Sequence, residues 1–178
     1  LLDFAGLSHL YSETLGWRDI DNGATRMRIN NSTLDFVGVG DAHDHLDELR
    51  ILPSLLEQLR EGEDSSQERA HHSITTVGVT HAPYQRVLDA FVTNGCDAIF
   101  AGHTHGGQVC LPGGRALTTN CDLPTAQASG LGLWAHATRS SYLEVSAGLG
   151  TSIYAPVRLF CPPEAVLVTL VGDDISYA

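Results

Sequence analysis

The sequence predicts an α/β fold built on a parallel βαβ unit, and three observations carry that prediction. Residues 73–80 form a β-branched run, with Ile74, Thr75, Thr76, Val77 and Val79, suited to a strand. Pro83 fits the first turn of a helix, and Val87, Leu88, Phe91 and Val92 recur at helical spacing until Asn94 and Gly95 stop them. Residues 96–101 are then a short apolar run, centred on Ile99 and Phe100, that reads as a buried strand. Strand, helix and strand in this order make a crossover, the connection that joins parallel neighbours.

The other elements follow from the amino end. Leu7, Leu10, Tyr11 and Leu15 repeat at helical spacing before Gly16 and Trp17, the pattern of a packing helix. Residues 25–29 and 33–39 alternate or cluster apolar side chains about Asn30 and Asn31, as a hairpin does. Residues 40–47 are acidic; they carry His43 and His45, and Asp41, Asp44 and Asp47 suit a solvated loop. Leu49, Leu52, Leu55, Leu56 and Leu59 make an apolar stripe, so 48–59 is expected as a helix covering the sheet, with Pro53 marking a kink or a later start. Residues 60–72 are polar and aperiodic and predict a mobile loop. Its adjacent His71 and His72 point oppositely in extended chain and are expected at the surface. Beyond the central unit, 108–111 and 116–119 read as strands joined through Pro112, Gly113 and Gly114. Residues 120–136 read as a loop, and 142–147 and 165–171 as closing strands. Arg158 and Glu164 are expected to pair structurally.

Both strands of the central unit lead into histidine. His81 follows the first, and His103 and His105 follow the second among Gly102, Gly106 and Gly107. In extended backbone residues i and i+2 point the same way, so the His103 and His105 rings are expected to converge on one ion. Parallel pairing brings His81 to the same sheet edge, where open α/β sheets bind ligands. Neutral imidazole is the commonest side-chain metal ligand, which makes His81, His103 and His105 the candidate metal ligands. A polar turn with solvated histidines is the ordinary alternative. Asp122, Trp134 and His136 follow this loop and are candidates for a substrate-side wall, against the ordinary reading of solvated residues and an aromatic packing anchor.

The run from Gly102 to Gln108, preceded by Thr80, His81, Ala82 and Pro83, resembles the carboxyl-terminal half of the calcineurin-like metallophosphoesterases. The tail over 146–152, with 156–159 and 161–164, is similar to the bacterial YkuE-like phosphohydrolases, and the resemblance covers most of the chain. It implies that 1–178 is one domain, the carboxyl-terminal part of a four-layer αββα sandwich with mixed sheets, the 25–39 hairpin belonging to the second sheet. It also implies a phosphomonoesterase or phosphodiesterase with two divalent ions (Mn, Fe or Zn), a metal-activated water and a small phosphoester substrate. His81 and His103 would bind one ion and His105 the other. The family's D-x-H, G-D-x-x-D and G-N-H-[DE] blocks do not occur in proper order here. Gly40, Asp41, Ala42 and His43 imitate the first but leave no room before His81 for the other two, so Asp41 and His43 are expected in a strand-end loop that could line the pocket. The general acid is expected upstream of Leu1, and a first residue other than Met leads to the expectation of a longer parent. Two further readings stay open: a mononuclear three-histidine zinc hydrolase or lyase, and a catalytically inactive remnant of the fold.

Bulk properties bound these readings. A chain of 178 residues with 43% hydrophobic and 17% charged residues is globular in composition and long enough for a sizeable core. Net charge −11, from 21 acidic against 10 basic residues, argues against a broad nucleic-acid surface. It leaves a phosphate substrate open, because bound cations reverse the local field. No apolar run reaches the roughly 18 residues of a membrane span. A cytoplasmic location is therefore expected, a membrane-associated or exported parent staying open. Cys96, Cys110, Cys121 and Cys161 have no CxxC spacing; buried free thiols are expected, and spacing does not give a disulfide pairing.

Overall fold

The computed structural model describes residues 14–29, 32–61 and 74–171. The first alternating runs form β1 (Ala24–Ile29) and β2 (Ser32–Gly38), antiparallel with Thr25 opposite Phe36. The leucine stripe begins as a 3₁₀ turn over Leu49–Ile51 and continues as α1 (Leu52–Glu61). Pro53 falls in the first turn of α1, where its missing N–H forfeits no helical hydrogen bond. There follow β3 (Ile74–Val79), α2 (Gln85–Thr93), β4 (Ala98–Ala101), β5 (Gly130–His136) and β6 (Arg139–Val145).

The six strands form one mixed sheet in the order β1-β2-β3-β4-β6-β5. β2, β3, β4 and β6 run parallel, and the hairpin strands β1 and β5 close the edges antiparallel. The βαβ unit predicted from 73–101 is present, and the molecule is α/β. One expectation changes: the β1–β2 hairpin extends the same sheet through β2 and β3, with Phe36 opposite Val77, rather than starting a second one.

Register sets which side chains share a face. Val37, Gly78, Ile99 and Leu143 lie in one row across four strands. Over that row sits Phe91 of α2, so close that a Cβ on Gly78 would lie 2.8 Å from the ring. α2 also packs on β5 and β6, while α1 packs on β1 and β2. Leu52 and Leu56 of α1 join Val87, Leu88, Phe91, Val92, Ile99, Leu143 and Val145 in one buried core. α2 ends as its sequence predicts, with Asn94 as cap and Gly95 at φ 86°.

Other expectations are revised. Residues 130–136, read as loop, form β5, held by its ladder to β6 from Gly130–Val145 to His136–Arg139. The 108–119 hairpin shrinks to a single bridge, Cys110 to Ala116. No strand forms over 165–171, where Val166, Leu167, Val168 and Leu170 stay exposed. Arg158 donates to backbone carbonyls, and the Glu164 carboxylate accepts from Ala147 N–H at 2.9 Å. The amino-terminal helix pattern over Leu7 to Tyr11, and His71 and His72 with most of the predicted 60–72 loop, lie outside the described residues. Among the described residues no helix is long and apolar enough to cross a membrane.

Candidate functional site

Because β2, β3 and β4 are parallel neighbours, the loops at their carboxyl ends meet. The ladder continues one step beyond the strands: Thr80 N–H donates to Phe100 O at 3.0 Å and Gly102 N–H to His81 O at 2.9 Å. That second bond sets His81 beside the residue after Gly102. His103 Nδ1 then lies 3.2 Å from His81 Nε2, with the rings edge-on at 81° and centroids 5.0 Å apart. His81 and His103 thus come together as the sequence leads one to expect.

His103 and His105 do not take the expected extended backbone. Both have positive φ, 65° and 50°, and His105 opens a tight turn over His105–Gly107. Histidine tolerates this left-handed region better than most residues. The turn is held by Thr104, whose Oγ1 donates to Ala128 O at 2.6 Å and accepts from Gly106 N–H at 3.2 Å. The two glycines are required: a Cβ on Gly106 would lie 2.8 Å from Cys161 Sγ, and one on Gly107 would lie 2.5 Å from Ala116 Cβ. With parity broken, the His103 ring goes to His81, and among the described residues the His105 ring has no stacking or hydrogen-bond contact with either. The His105 carbonyl accepts from Arg158 Nη1 at 3.0 Å, and the same guanidinium reaches the carbonyls of Ala147 and Gly148.

A third imidazole comes from the loop that follows β2. His43 stacks at a tilt on His103, with centroids 4.7 Å apart, and its Nδ1 lies 3.0 Å from the Tyr84 hydroxyl. Its loop is pinned where Asp41 Oδ1 accepts from His43 N–H at 2.9 Å and Arg86 pairs with Asp47 at 2.7 Å. Arg86 also donates to Ala42 O and lies 4.9 Å over the Tyr84 ring. His45 stands exposed in the same loop. Asn120 closes the cluster, its Nδ2 being 3.4 Å from His103 Nε2. Neither Tyr84 nor Asn120 carries a sequence signal, since only the fold brings them here.

The other candidates serve structure. Asp122 Oδ1 accepts from Gln85 N–H at 2.8 Å and caps α2. Trp134 Nε1 and His136 Nδ1 both reach Asp89 Oδ1 on α2, at 2.8 and 3.1 Å. They tie β5 to α2.

Electrostatics make two of the rings, His103 and His105, weaker bases. Burial first, then His81 and His43, lowers the pKa of His103 below the ordinary imidazole value. Burial and then the Arg158 guanidinium do the same for His105. Neutral rings offer lone pairs, the form that binds a metal. Two nitrogens each about 2.0–2.1 Å from a shared tetrahedral ion lie roughly 3.3 Å apart, close to the separation of His81 Nε2 and His103 Nδ1. An N–H···N hydrogen bond uses the same separation. The pair therefore fits as two donors to one ion, but among the described residues no group of three or more His, Cys, Asp or Glu side chains is arranged to hold a metal. Compared with models of known protein families, with curated proteins and with solved structures, the chain matches none.

Proposed function

We propose that this chain supplies carboxyl-terminal histidine ligands to a metal-dependent phosphoester hydrolase, with donors from outside the described residues completing the set. The observation that carries this is the 3.2 Å approach of two imidazole nitrogens at the carboxyl edge of a parallel sheet. The Gly102–Gln108 motif and its resemblance to calcineurin-like metallophosphoesterases support the reaction class. In that reading His81 and His103 share one ion and His105 serves a second. The chemistry such ions supply is Lewis acidity at phosphoryl oxygens and acidification of a water nucleophile. The chain's own part is to orient the donors. Both nitrogens offer lone pairs only when His103 carries its proton on Nε2, and the Asn120 amide beside that atom accepts it through its oxygen once turned over.

The same reading makes the sheet one of two in an αββα sandwich. Leu131, Leu133 and Tyr142 support it, standing 67%, 58% and 61% exposed on the face opposite α2, where a second apolar layer would cover them.

Zinc or manganese titration of the chain tests the ligands. His81→Ala and His103→Ala are each expected to weaken binding at least about tenfold, and Asn120→Ala by a smaller factor, with His45→Ala without effect. Unchanged affinity in both histidine variants would remove the site. Hydrolysis of bis-p-nitrophenyl phosphate with Mn²⁺ tests the reaction in a protein holding the complete donor set. There His105→Ala should abolish most turnover with the fold intact, and undiminished turnover with metal bound would sink its assignment.

A further inference from the structure

Cys110 and Cys161 are far apart in sequence, and the fold sets them side by side. Their segments are joined by Cys110 N–H donating to Leu159 O and Leu159 N–H donating to Gln108 O, both at 2.9 Å, with Val109 and Leu159 in a parallel bridge. Continued regularly, that pairing would put Cys161 opposite Leu111. Phe160 instead has φ 52°, and the bend carries Cys161 into one buried cluster with Cys110, Ala116 and Ala128. Both sulfurs there reach one carbonyl: Cys110 Sγ lies 3.3 Å and Cys161 Sγ 3.5 Å from Gly106 O. Cys161 Sγ is also 3.2 Å from His105 O. Donors that share an acceptor are neighbours. Burial first, then the adjoining Cys161 thiol, pushes the Cys110 thiol up. Cys96 and Cys121 belong to the other cluster, so neither competes for this pairing.

We propose that Cys110 and Cys161 are an oxidisable pair that closes into a disulfide through exchange with a low-molecular-weight disulfide, tying the imidazole turn to the carboxyl-terminal segment. Cys161, 8% exposed against 3% for Cys110, reacts first. Its thiolate attacks one reagent sulfur, forming a mixed disulfide and releasing one thiol. The Cys110 thiolate then attacks the Cys161 sulfur and releases the second. Two protein thiols lose two protons and two electrons, and the reagent disulfide becomes two thiols. The S–H donors to Gly106 O and His105 O are lost in this step, and Arg158 Nη1 remains on His105 O.

The test incubates the native chain with glutathione disulfide at about pH 9, because burial keeps the Cys110 thiol protonated to a higher pH than an ordinary cysteine. Free thiols are then alkylated and the unreduced protein is digested and mapped by mass spectrometry. The expected product links the Cys110 and Cys161 peptides, leaves two alkylated thiols, and melts about 5 °C or more above the reduced chain. Dithiothreitol should reverse all three changes. Cys110→Ser should leave a glutathione adduct on Cys161, while Cys96→Ser and Cys121→Ser should keep the link. Four alkylated thiols, a stable glutathione adduct without the link in the unsubstituted chain, or a bridge through Cys96 or Cys121 would overturn the proposal. Mapping the unsubstituted chain keeps the decision independent of whether any variant folds.

Discussion

Glu144 is 5% exposed, and its Oε1 is buried without a hydrogen-bond partner among the described residues. Burial first, then the Glu164 carboxylate, raises its pKa above the usual carboxyl value. A carboxyl held neutral by the fold stabilises fully below its unfolded pKa, and that contribution is lost as pH rises through the folded value. Glu144→Gln removes the charge that costs stability at higher pH. The melting-temperature difference, variant minus unsubstituted chain, is therefore expected to grow from about pH 5 to about pH 8; a flat difference would show that the fold does not raise the Glu144 pKa. At this scale the sequence reveals residue types better than their directions. The glycines of 102–107 announce a tight turn, and Gly106 and Gly107 indeed admit no Cβ. The convergence of His103 and His105 rested on extended backbone, and both positions instead have left-handed φ, which removes that argument. His43 was legible as a strand-end loop histidine able to line the pocket, while its contact with His103 depends on β2 lying beside β3.

Elements are legible where local chemistry and tertiary packing agree. β3 has β-branched content and α2 an Asn94–Gly95 stop, and each forms as expected, except that α2 starts at Gln85, two residues beyond Pro83 rather than with it in the first turn. β5 and residues 165–171 mislead in opposite directions. Gly130 and Gly132 weaken the strand signal of β5, and its existence depends on the ladder with β6. Residues 165–171 have the right apolar content for a strand but no pairing strand among the described residues, so composition alone does not make one. The fit between α2 and β3 gives a sharp prediction. Gly78 has no space for a side chain under Phe91, which is fully buried and cannot retreat. Gly78→Val should destabilise by about 1–3 kcal/mol through overpacking, read by urea unfolding. Pairing it with Phe91→Leu should recover part of that loss. A double variant whose cost is the plain sum of the single costs would mean the two positions do not meet.

On the scale of the whole molecule, the two faces of the sheet are covered unevenly: among the described residues α1 and α2 pack on one face, while on the other Val77 and Ala98 are buried at the centre and Tyr142 and Leu133 are exposed toward the β5 edge. The row Val37, Gly78, Ile99 and Leu143 faces α2 and the core, and the alternate row through Leu133 and Tyr142 faces away from it. Alternation along the strands makes both rows apolar, so the sequence tells that two faces want cover without telling which element supplies it. Leu143, 1% exposed, and Leu133, 58% exposed, lie on neighbouring strands and opposite faces, which turns the asymmetry into a measurement. Leu143→Ala should cost about 2–5 kcal/mol, the range for a buried leucine that leaves a cavity. Leu133→Ala should cost under about 0.5 kcal/mol, the range for an exposed site. Urea unfolding of the two variants compares them directly, and similar costs would refute the uneven cover of the two faces. The comparison also bears on the sandwich proposal. If a second layer covers that face in a larger assembly, Leu133→Ala must become costly there while remaining nearly neutral in this chain.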